Sequence, residues 1–189
     1  MDEQQQLIAV RPPASSQSLT LRDANAWGSE DGIGHLDGSL YVLDRNGDQV
    51  WRYPASENGF DSEREGLLPT FDLENAVEMA AGDPLYLLFN DGSVVRFTGG
   101  VAQPFSQAGI DRPMSSPGSI TPLPASNMVL VADRGNARIV VFSPDGSFKQ
   151  QLVSPRFTDL RAIAVDEPAG LLYVLNGGAL YRTPLPAPP

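Results

Sequence analysis

The sequence predicts an all-β fold of the β-propeller class, and three observations lead to that prediction. Four apolar runs recur at an even spacing, at residues 40–43, 85–88, 129–132 and 172–175. Each run is followed by a turn and a second apolar run, and each is preceded by a weaker candidate strand. With Tyr41, Tyr86, Leu130 and Tyr173 taken as equivalent, the spacings are 45, 44 and 43 residues. A period of about 44 residues is typical of propeller blades.

The turns that follow the four runs are built from Asp, Asn, Arg and Gly. They are Asp44-Arg45-Asn46-Gly47, Asn90-Asp91-Gly92, Asp133-Arg134-Gly135-Asn136 and Asn176-Gly177-Gly178. After each turn the other strand of the hairpin begins, at Val50, Val94, Ile139 and Leu180, which would be the third strand of a blade. Short β-branched or aromatic runs separated by such residues indicate antiparallel hairpins. Each copy of the repeat therefore has a hairpin at its centre.

The inner and outer strands of each copy have weaker signals. Inner candidates lie at residues 32–36, 76–80, 118–123 and 160–165, and outer candidates at 101–105 and 147–153, with a looser one at 67–71. Residues 72–81 have helix propensity and an acidic first turn, which conflicts with a strand there. We follow the repeat register and predict a strand at 76–80. Four short antiparallel strands per copy make a propeller blade, whose sheet buries both faces against its neighbours.

The repeat divides the chain into four blades and two tails. The blades are predicted at residues 26–71, 72–112, 113–156 and 157–183, between a Pro- and Ser-rich tail or linker at 1–25 and a Pro-rich tail at 184–189. The last copy stops after its third strand. Residues 7–10 or 19–22 could supply the missing outer strand and close a four-bladed ring. Alternatively, the chain is the C-terminal arc of a larger propeller whose earlier blades lie outside it, and we favour the arc because residues 1–18 look like a linker.

Composition limits the partners and the chemistry of the chain. There are 23 acidic and 13 basic residues, which give a formal net charge of −10 at pH 7. Because such a field repels nucleic acid and anionic membranes, we expect neither as a partner. The absence of cysteine excludes disulfides, cysteine–zinc sites and thiol catalysis. With no signal-peptide pattern and no run near the roughly 20 apolar residues of a membrane span, we expect a soluble chain. Its compartment stays open, and within a longer parent protein it could be extracytoplasmic.

One copy of the repeat carries a family resemblance. Residues 132–148, ADRGNARIVVFSPDGSF, resemble the core of an NHL repeat: an apolar strand, Asp, a short turn with Asn and Arg, Ile-x-Val-Phe, then Asp-Gly. Residues 160–175, LRAIAVDEPAGLLYVL, resemble the opening half of the next such repeat. The resemblance extends over most of residues 32–183 and implies a propeller of the NHL or broadly six-bladed, TolB-like kind. It implies no specific chemistry.

Some propellers that resemble this one are metal-dependent lactonases, in which Glu, Asn and Asp from different blades hold one ion in the central channel. By that resemblance a metal site here would use Asn75, Glu78, Asp159 and Asp166. These side chains converge only if the propeller is complete. A metal-dependent, lactonase-like hydrolase is therefore the alternative function.

The candidate binding residues lie in the turns between the second and third strands, which meet on one rim of a propeller. They are Asp44, Arg45, Asn46, Asn90, Asp91, Asp133, Arg134, Asn136 and Asn176. Loops on a rigid scaffold commonly carry binding sites. Asp and Asn also cap their own turns, and Gly47, Gly92, Gly135 and Gly177 are expected to supply positive φ. Because a turn does not need arginine twice at one position, Arg45 and Arg134 are the stronger binding candidates.

Other catalytic and metal-binding patterns are weak. Asp44 to Asp48 have the D-x-N-x-D spacing of a calcium loop, but its sixth and twelfth positions are Gln49 and Ala55 instead of glycine and an acid. His35 is the only histidine, so neither a histidine zinc site nor a convincing serine triad can be assembled. We therefore expect no cofactor, with calcium as a weak candidate. The predicted function is a non-catalytic recognition or scaffold module that binds a protein, peptide or glycan through the rim.

Overall fold

The fold is all-β, with four blade sheets of the β-propeller class and no α-helix in the part that a computed structural model describes, residues 7–11, 15–23, 26–29, 31–57 and 59–187. No helix in those ranges is long and apolar enough to cross a membrane. The chain divides into two compact units, Met1–Glu74 and Asn75–Pro189. The predicted fold class is therefore confirmed, and the two units are described in turn.

The first unit contains a small sheet and blade 1. The small sheet pairs β1 (Leu7–Arg11) with β2 (Ser15–Leu21), and β2 runs parallel to β6 (Gly59–Phe60). Blade 1 has the order β3 (Gly32–Leu36), β4 (Ser39–Asp44), β5 (Gln49–Pro54) and β7 (Glu65–Gly66), all antiparallel.

The second unit contains three successive blades. Blade 2 consists of β8 (Ala76–Ala80), β9 (Leu85–Phe89), β10 (Val94–Thr98) and β11 (Val101–Gln103). Blade 3 consists of β12 (Ser119–Leu123), β13 (Met128–Asp133), β14 (Arg138–Phe142) and β15 (Phe148–Val153). Blade 4 has three strands, β16 (Leu160–Asp166), β17 (Leu171–Asn176) and β18 (Ala179–Pro184).

The second strand of a blade shows how the blades of the second unit pack. Every residue of β9 and β13 is buried, as expected for strands enclosed on both faces, which lose the apolar-polar alternation. Tyr86 and Leu88 of blade 2 pack against Val129 and Val131 of blade 3. The alternate residues of the same strand, which include Leu130, point to the opposite face of the sheet and pack against Leu172 and Val174 of blade 4. The row of Tyr86 and Leu130 therefore faces the following blade.

In blade 4 that same row is uncovered by the described residues. β17 alternates between buried and more exposed positions, and Tyr173 occupies the row of Tyr86 and Leu130. Leu175 is 36% exposed and Leu180, its partner on β18, is 69% exposed. All six residues of β18 are exposed. Blade 4 thus has one buried face, one bare face and a bare outer strand.

In blade 1 the opposite row is covered within its own unit. Leu40, Val42 and Tyr53 pack against Trp27, and Leu21 of β2 and Phe60 of β6 complete the cluster. The Trp27 indole N–H donates to the Tyr53 hydroxyl at 2.6 Å, and the two rings meet edge to face with centroids 6.0 Å apart. Leu40 and Val42 hold the register of Val129 and Val131, which face the preceding blade. Trp27 and the small sheet therefore cover this face of blade 1.

Most strands lie where the repeat register predicts them. The predicted strand at Ala76–Ala80 is confirmed, although helix propensity competed there. The looser outer strand predicted at residues 67–71 is wrong, because Glu65 and Gly66 pair with Arg52 and Trp51 instead. Two strands, β1 and β2, lie in the stretch predicted to be a tail or linker. They pair with each other and with β6, so neither belongs to the sheet of blade 4, and the strand exchange considered from the sequence is wrong.

Candidate binding site at the blade rim

Three of the predicted rim residues hold the same place at the end of the second strand and perform the same structural task. Asp44, Asp133 and Asn176 are all buried. Each side chain accepts a hydrogen bond from a backbone N–H just before the first strand of its own blade. The pairs are Ser29 N to Asp44 Oδ1 at 2.8 Å, Ser115 N to Asp133 Oδ1 at 2.8 Å and Asp159 N to Asn176 Oδ1 at 3.1 Å. These three residues therefore fasten the chain as it enters each blade.

The polar residues at the tip of blade 1 contact this entry segment. The Arg45 guanidinium forms an ion pair with the Asp31 carboxylate, whose other oxygen accepts the Arg45 backbone N–H at 3.1 Å. Hydrogen bonding from Arg45 lowers the pKa of Asp31. The Asn46 side-chain amide donates to the Gly28 carbonyl at 3.1 Å. Arg45 and Asn46 are therefore both engaged with the entry segment, although Arg45 Nε has no hydrogen-bond partner among the described residues.

The tip of blade 3 contains a buried arginine that the sequence argument missed. Arg138 is 1% exposed, and its Nε donates to Asp133 Oδ2 at 2.7 Å. Its other nitrogens donate to Asp111 at 2.7 Å and Gln151 at 2.8 Å, and the Arg138 hydrogen bond lowers the pKa of Asp111. Asn136 donates to Asp133 Oδ2 at 2.8 Å. Asp133 and Asn136 therefore belong to a saturated hydrogen-bond network.

Arg134 differs from every other charged residue predicted at the rim. It is exposed, and its guanidinium has no hydrogen-bond or ion-pair partner among the described residues. Its stem lies over Gly118, where an added Cβ would collide with Arg134 Cδ and the Arg161 carbonyl. Gly118 holds the register of Asp31, since both donate their backbone N–H to equivalent residues of the second strand, Ala132 and Leu43. Blade 3 thus has glycine where blade 1 has the acid that pairs with its arginine.

Arg134 borders a rim cleft of about 270 Å³ between the tip of blade 3 and the start of blade 4. Its lining is Ser116, Arg134, Gly135, Thr158, Asp159 and Leu160. The Asp159 carboxylate is held by Arg161, at 3.0 and 2.8 Å from two guanidinium nitrogens. The cleft therefore combines one unpaired guanidinium with the hydroxyl-bearing residues Ser116 and Thr158. A guanidinium binds carboxylates and phosphates with paired hydrogen bonds.

The tip of blade 2 uses its polar residues in its own turn. The Asn90 amide donates to Asn75 Oδ1 at 3.1 Å. Asp91 Oδ1 accepts from the backbone N–H of Ser93 at 2.8 Å and from its hydroxyl at 2.7 Å, and this bonding lowers the pKa of Asp91. Both residues are exposed and structural in their contacts.

Two glycines of the tips have a different purpose from the one predicted. Gly92 and Gly177 have φ of 93° and 59°, as expected, but Gly47 and Gly135 are not in the left-handed region. Asp48 and Ala137 take the positive φ in those turns, at 48° and 52°. A side chain at Gly47 would collide with the Asp44 carboxylate, and one at Gly135 would lie 2.6 Å from the Ser115 carbonyl oxygen. Gly135 therefore allows close approach of the entry segment, and Gly47 allows close approach of the Asp44 carboxylate within its own tip.

The four side chains of the metal-site alternative each have a partner. Asn75 accepts from Asn90, Asp159 from Arg161, and Asp166 from the Ala169 backbone N–H at 3.0 Å. Glu78 accepts from the Ile120 backbone N–H. Among the described residues, no group of three or more His, Asp or Glu side chains is placed to hold one metal ion. Asp44, the first residue of the calcium-like spacing, is turned towards backbone amides.

Glu78 and Ser119 hold equivalent positions on the first strands of blades 2 and 3 and link each blade to the next. The Ser119 hydroxyl accepts from the backbone N–H of Ile163 at 2.9 Å, as Glu78 does from Ile120. Burial raises the pKa of Glu78 to about 7, partly offset by the Ile120 hydrogen bond. The side chain that accepts the hydrogen bond between neighbouring blades is therefore an ionisable carboxyl group between blades 2 and 3 and a neutral hydroxyl group between blades 3 and 4.

Sequence reasoning identified Arg134 but missed its neighbours in the cleft. Ser116 and Thr158 lie in loops outside the repeated turns, so the 44-residue register gave no reason to select them. The pairing of Arg45 with Asp31 was also missed. Its available signal was the residue before the first strand, which is Asp31 in one copy and Gly118 in the other.

Comparison with known proteins supports the fold alone. No protein-family model matches the chain, and no curated protein is detectably similar in sequence. Among solved structures, virginiamycin B lyase from Staphylococcus aureus, crystallised with quinupristin, has a TM-score of 0.59 at 15% identity over 96% of this chain and 63% of its own. A nidogen/laminin complex gives 0.65 at 18% identity over 92% and 65%. A Lactobacillus plantarum protein gives 0.65 at 13% over 95% and 60%. The chain thus spans less than two thirds of these similar chains.

Proposed function

We propose that this chain is a non-catalytic recognition module that binds a carboxylate-bearing protein, peptide or glycan through the rim cleft at Arg134. The observation that carries the proposal is the exposed, unpartnered guanidinium of Arg134. The other charged candidates, Asp44, Arg45, Asp91 and Asp133, are all held by neighbouring groups. A guanidinium fork matches a carboxylate with two parallel hydrogen bonds. The Arg134 stem lies over Gly118, where a side chain would collide with Arg134 Cδ.

The proposal can be tested by probing arrays of peptides and of glycans with the labelled chain. Each array includes neutral members and members that carry carboxylates. Wild-type protein should bind a subset of the carboxylate-bearing members. Arg134→Gln should weaken that binding about tenfold or more, since a hydrogen bond to a charged group contributes about 1.5–3 kcal/mol. Arg45→Gln is the matched control, because Arg45 is already paired, and it should bind as wild type. Equal binding by Arg134→Gln, or a preference for neutral members, would contradict the proposal.

We also propose that the blades are NHL-like repeats in an arc of a larger propeller of the six-bladed kind. Residues 132–148 support the repeat assignment by their motif. The larger propeller is supported by the chain spanning 63% and 65% of two propeller-like neighbours. The coding sequence on either side of this chain is the direct test. Further copies of the unit at a period of about 44 residues are expected there, and their absence would contradict the proposal.

A further inference from the structure

The rim cleft of Arg134 also contains an acid of the chain itself, the carboxylate of Asp159. Both side chains line the cleft. The two segments also meet at Gly118, because Arg134 Cδ and the Arg161 carbonyl oxygen lie 2.4 and 2.3 Å from the point that a Cβ on Gly118 would occupy. The cleft therefore brings an internal acid beside the guanidinium that is proposed to bind an anionic group.

Blade 1 shows what such an acid does to an arginine of the tip. Asp31 forms an ion pair with Arg45 and engages its guanidinium. Asp159 forms its ion pair with Arg161 instead, and Arg134 has no ion pair among the described residues. The difference between the two tips is therefore the partner of the nearby acid.

The Arg161 guanidinium holds the Asp159 carboxylate by one of its two oxygens. Nε and Nη2 of Arg161 donate to Asp159 Oδ2 at 3.0 and 2.8 Å. In the described part of the chain, the Arg161 side chain has no other hydrogen-bond or ion-pair partner, and it is 57% exposed. The polar contacts of this side chain thus serve Asp159 alone.

The strand that contains Arg161 does not require an arginine there. The pairing of β16 with β17 skips Arg161, between Leu160 and Ala162, which makes it the extra residue of a β-bulge. The pairing of β8 with β9 skips Val77 in the same way, and Val77 is 39% exposed. Because an aliphatic residue fills the equivalent bulge in blade 2, the backbone of β16 does not explain the charge of Arg161.

We propose that Arg161 is the positioning residue of the rim cleft: by holding the Asp159 carboxylate, it keeps the Arg134 guanidinium unpaired and open to an anionic ligand. Two positive side chains against one negative side chain also leave the cleft positive, within a chain of net charge −10. Without Arg161 the two remaining charges would cancel and pair with each other. The role rests on the proposed function of the cleft, but the unpaired state of Arg134 is measurable without a ligand.

The first test is nuclear magnetic resonance of the Arg134 side-chain Nε–H in the free protein, with the signal assigned by its loss in Arg134→Gln. In Arg161→Gln the signal should shift and its hydrogen exchange should slow, because the released Asp159 carboxylate pairs with Arg134. The signal should return to its wild-type position in Asp159→Asn/Arg161→Gln, which leaves no acid to pair, and should stay there in Arg161→Lys, which keeps a cation beside Asp159. An unchanged signal in Arg161→Gln, or a shift that persists in the double variant, would overturn the proposal.

The second test ranks the affinities of the same variants for the carboxylate-bearing array member that wild type binds most tightly. Arg161→Gln should bind about two- to fivefold more weakly, the effect of one exposed ion pair. Asp159→Asn should bind at least as tightly as wild type, and the double variant and Arg161→Lys should bind close to it.

Arg156→Gln is the matched control for the loss of a charge, because Arg156 is exposed in the same entry segment and forms no ion pair among the described residues. It should bind as wild type. Wild-type affinity in Arg161→Gln, or equal weakening in Arg161→Gln and the double variant, would overturn the role of Arg161 while the proposed function stands. If no array member binds, the proposed function fails, and the Arg134 signal alone decides whether Arg161 keeps that guanidinium unpaired.

Discussion

The tips of blades 1 and 3 begin with the same two residues, Asp-Arg, at equivalent positions, yet only one of the arginines is available. Asp44 and Asp133 fasten their entry segments in the same way. Arg45 is paired with Asp31, whereas Arg134 has glycine at the equivalent position and stays unpaired. The residue that precedes the first strand beside the tip, and not the tip motif itself, therefore decides whether the arginine is paired.

The largest expected effect separates the two aspartates. Asp133→Ala removes the buried counter-ion of Arg138 and should cost about 3–5 kcal/mol of unfolding free energy. Asp44→Ala leaves backbone N–H groups and the Trp51 indole unpaired and should cost less, about 1–3 kcal/mol. Amide hydrogen exchange measures both losses of unfolding free energy, because Asp44 and Asp133 lie in different units and exchange reports each unit separately. Equal losses would show that Asp111 suffices as the counter-ion of Arg138 and that the tips are energetically alike.

A pH titration of stability compares Glu78 with Ser119, which hold equivalent positions but differ in whether they can carry a charge. The folded-state pKa of Glu78, about 7, lies above its ordinary value of 4.5, so the folded state retains the proton. The stabilisation is present below about pH 4.5 and is lost as pH rises through about 7, a fall of about 3 kcal/mol. Glu78→Gln should abolish that fall, and Ser119→Ala, the control, should keep it. Chemical denaturation across this range is the measurement, and an unchanged profile in Glu78→Gln would contradict the assignment.

The smallest effect separates the two arginines. Arg45→Gln should cost about 0.5–1 kcal/mol, because its ion pair with Asp31 is partly exposed. That difference should shrink as pH falls through the lowered pKa of Asp31, since the acid then loses its charge in both proteins. Arg134→Gln should leave stability unchanged. Trp27 and Trp51 both lie in the first unit, so tryptophan fluorescence measures the unfolding of the unit that contains Arg45. Arg134 lies in the second unit, which has no tryptophan, so circular dichroism measures the stability of Arg134→Gln. A clear loss for Arg134→Gln would mean that its guanidinium has a structural partner.

The repeated register made most of the fold predictable. Four hairpins at a constant period placed the inner strands, and the register correctly outweighed the helix propensity around Glu78. β1 and β2 escaped prediction because they occur once and have no copy elsewhere in the chain. The outer strand of blade 1 was misplaced because Glu65 and Gly66 lack the apolar pattern on which the assignment depended.

The candidate site was less predictable than the fold, because contacts and not residue types distinguish its members. Asp133 and Arg134 are adjacent in sequence, but one is buried against Arg138 and the other is exposed. A turn motif specifies neither outcome. Asp31 and Gly118, which precede the first strands and lie beside the tips, decide whether the two arginines are paired, and they become comparable only when the strand pairings are known.

The packing of Trp27, Leu21 and Phe60 on blade 1 has a consequence for self-assembly. Repeated sheets with two bare, complementary faces can add copy after copy head to tail, and a heterologous contact that does not close grows into a fibre. Blade 4 has such a bare face at Tyr173, Leu175 and Leu180, but the face of Leu40 and Val42 that a second copy would need is already occupied. A shortened chain without β1, β2 and Trp27 would expose the apolar face of Leu40 and Val42, so we expect it to associate more readily than the full chain.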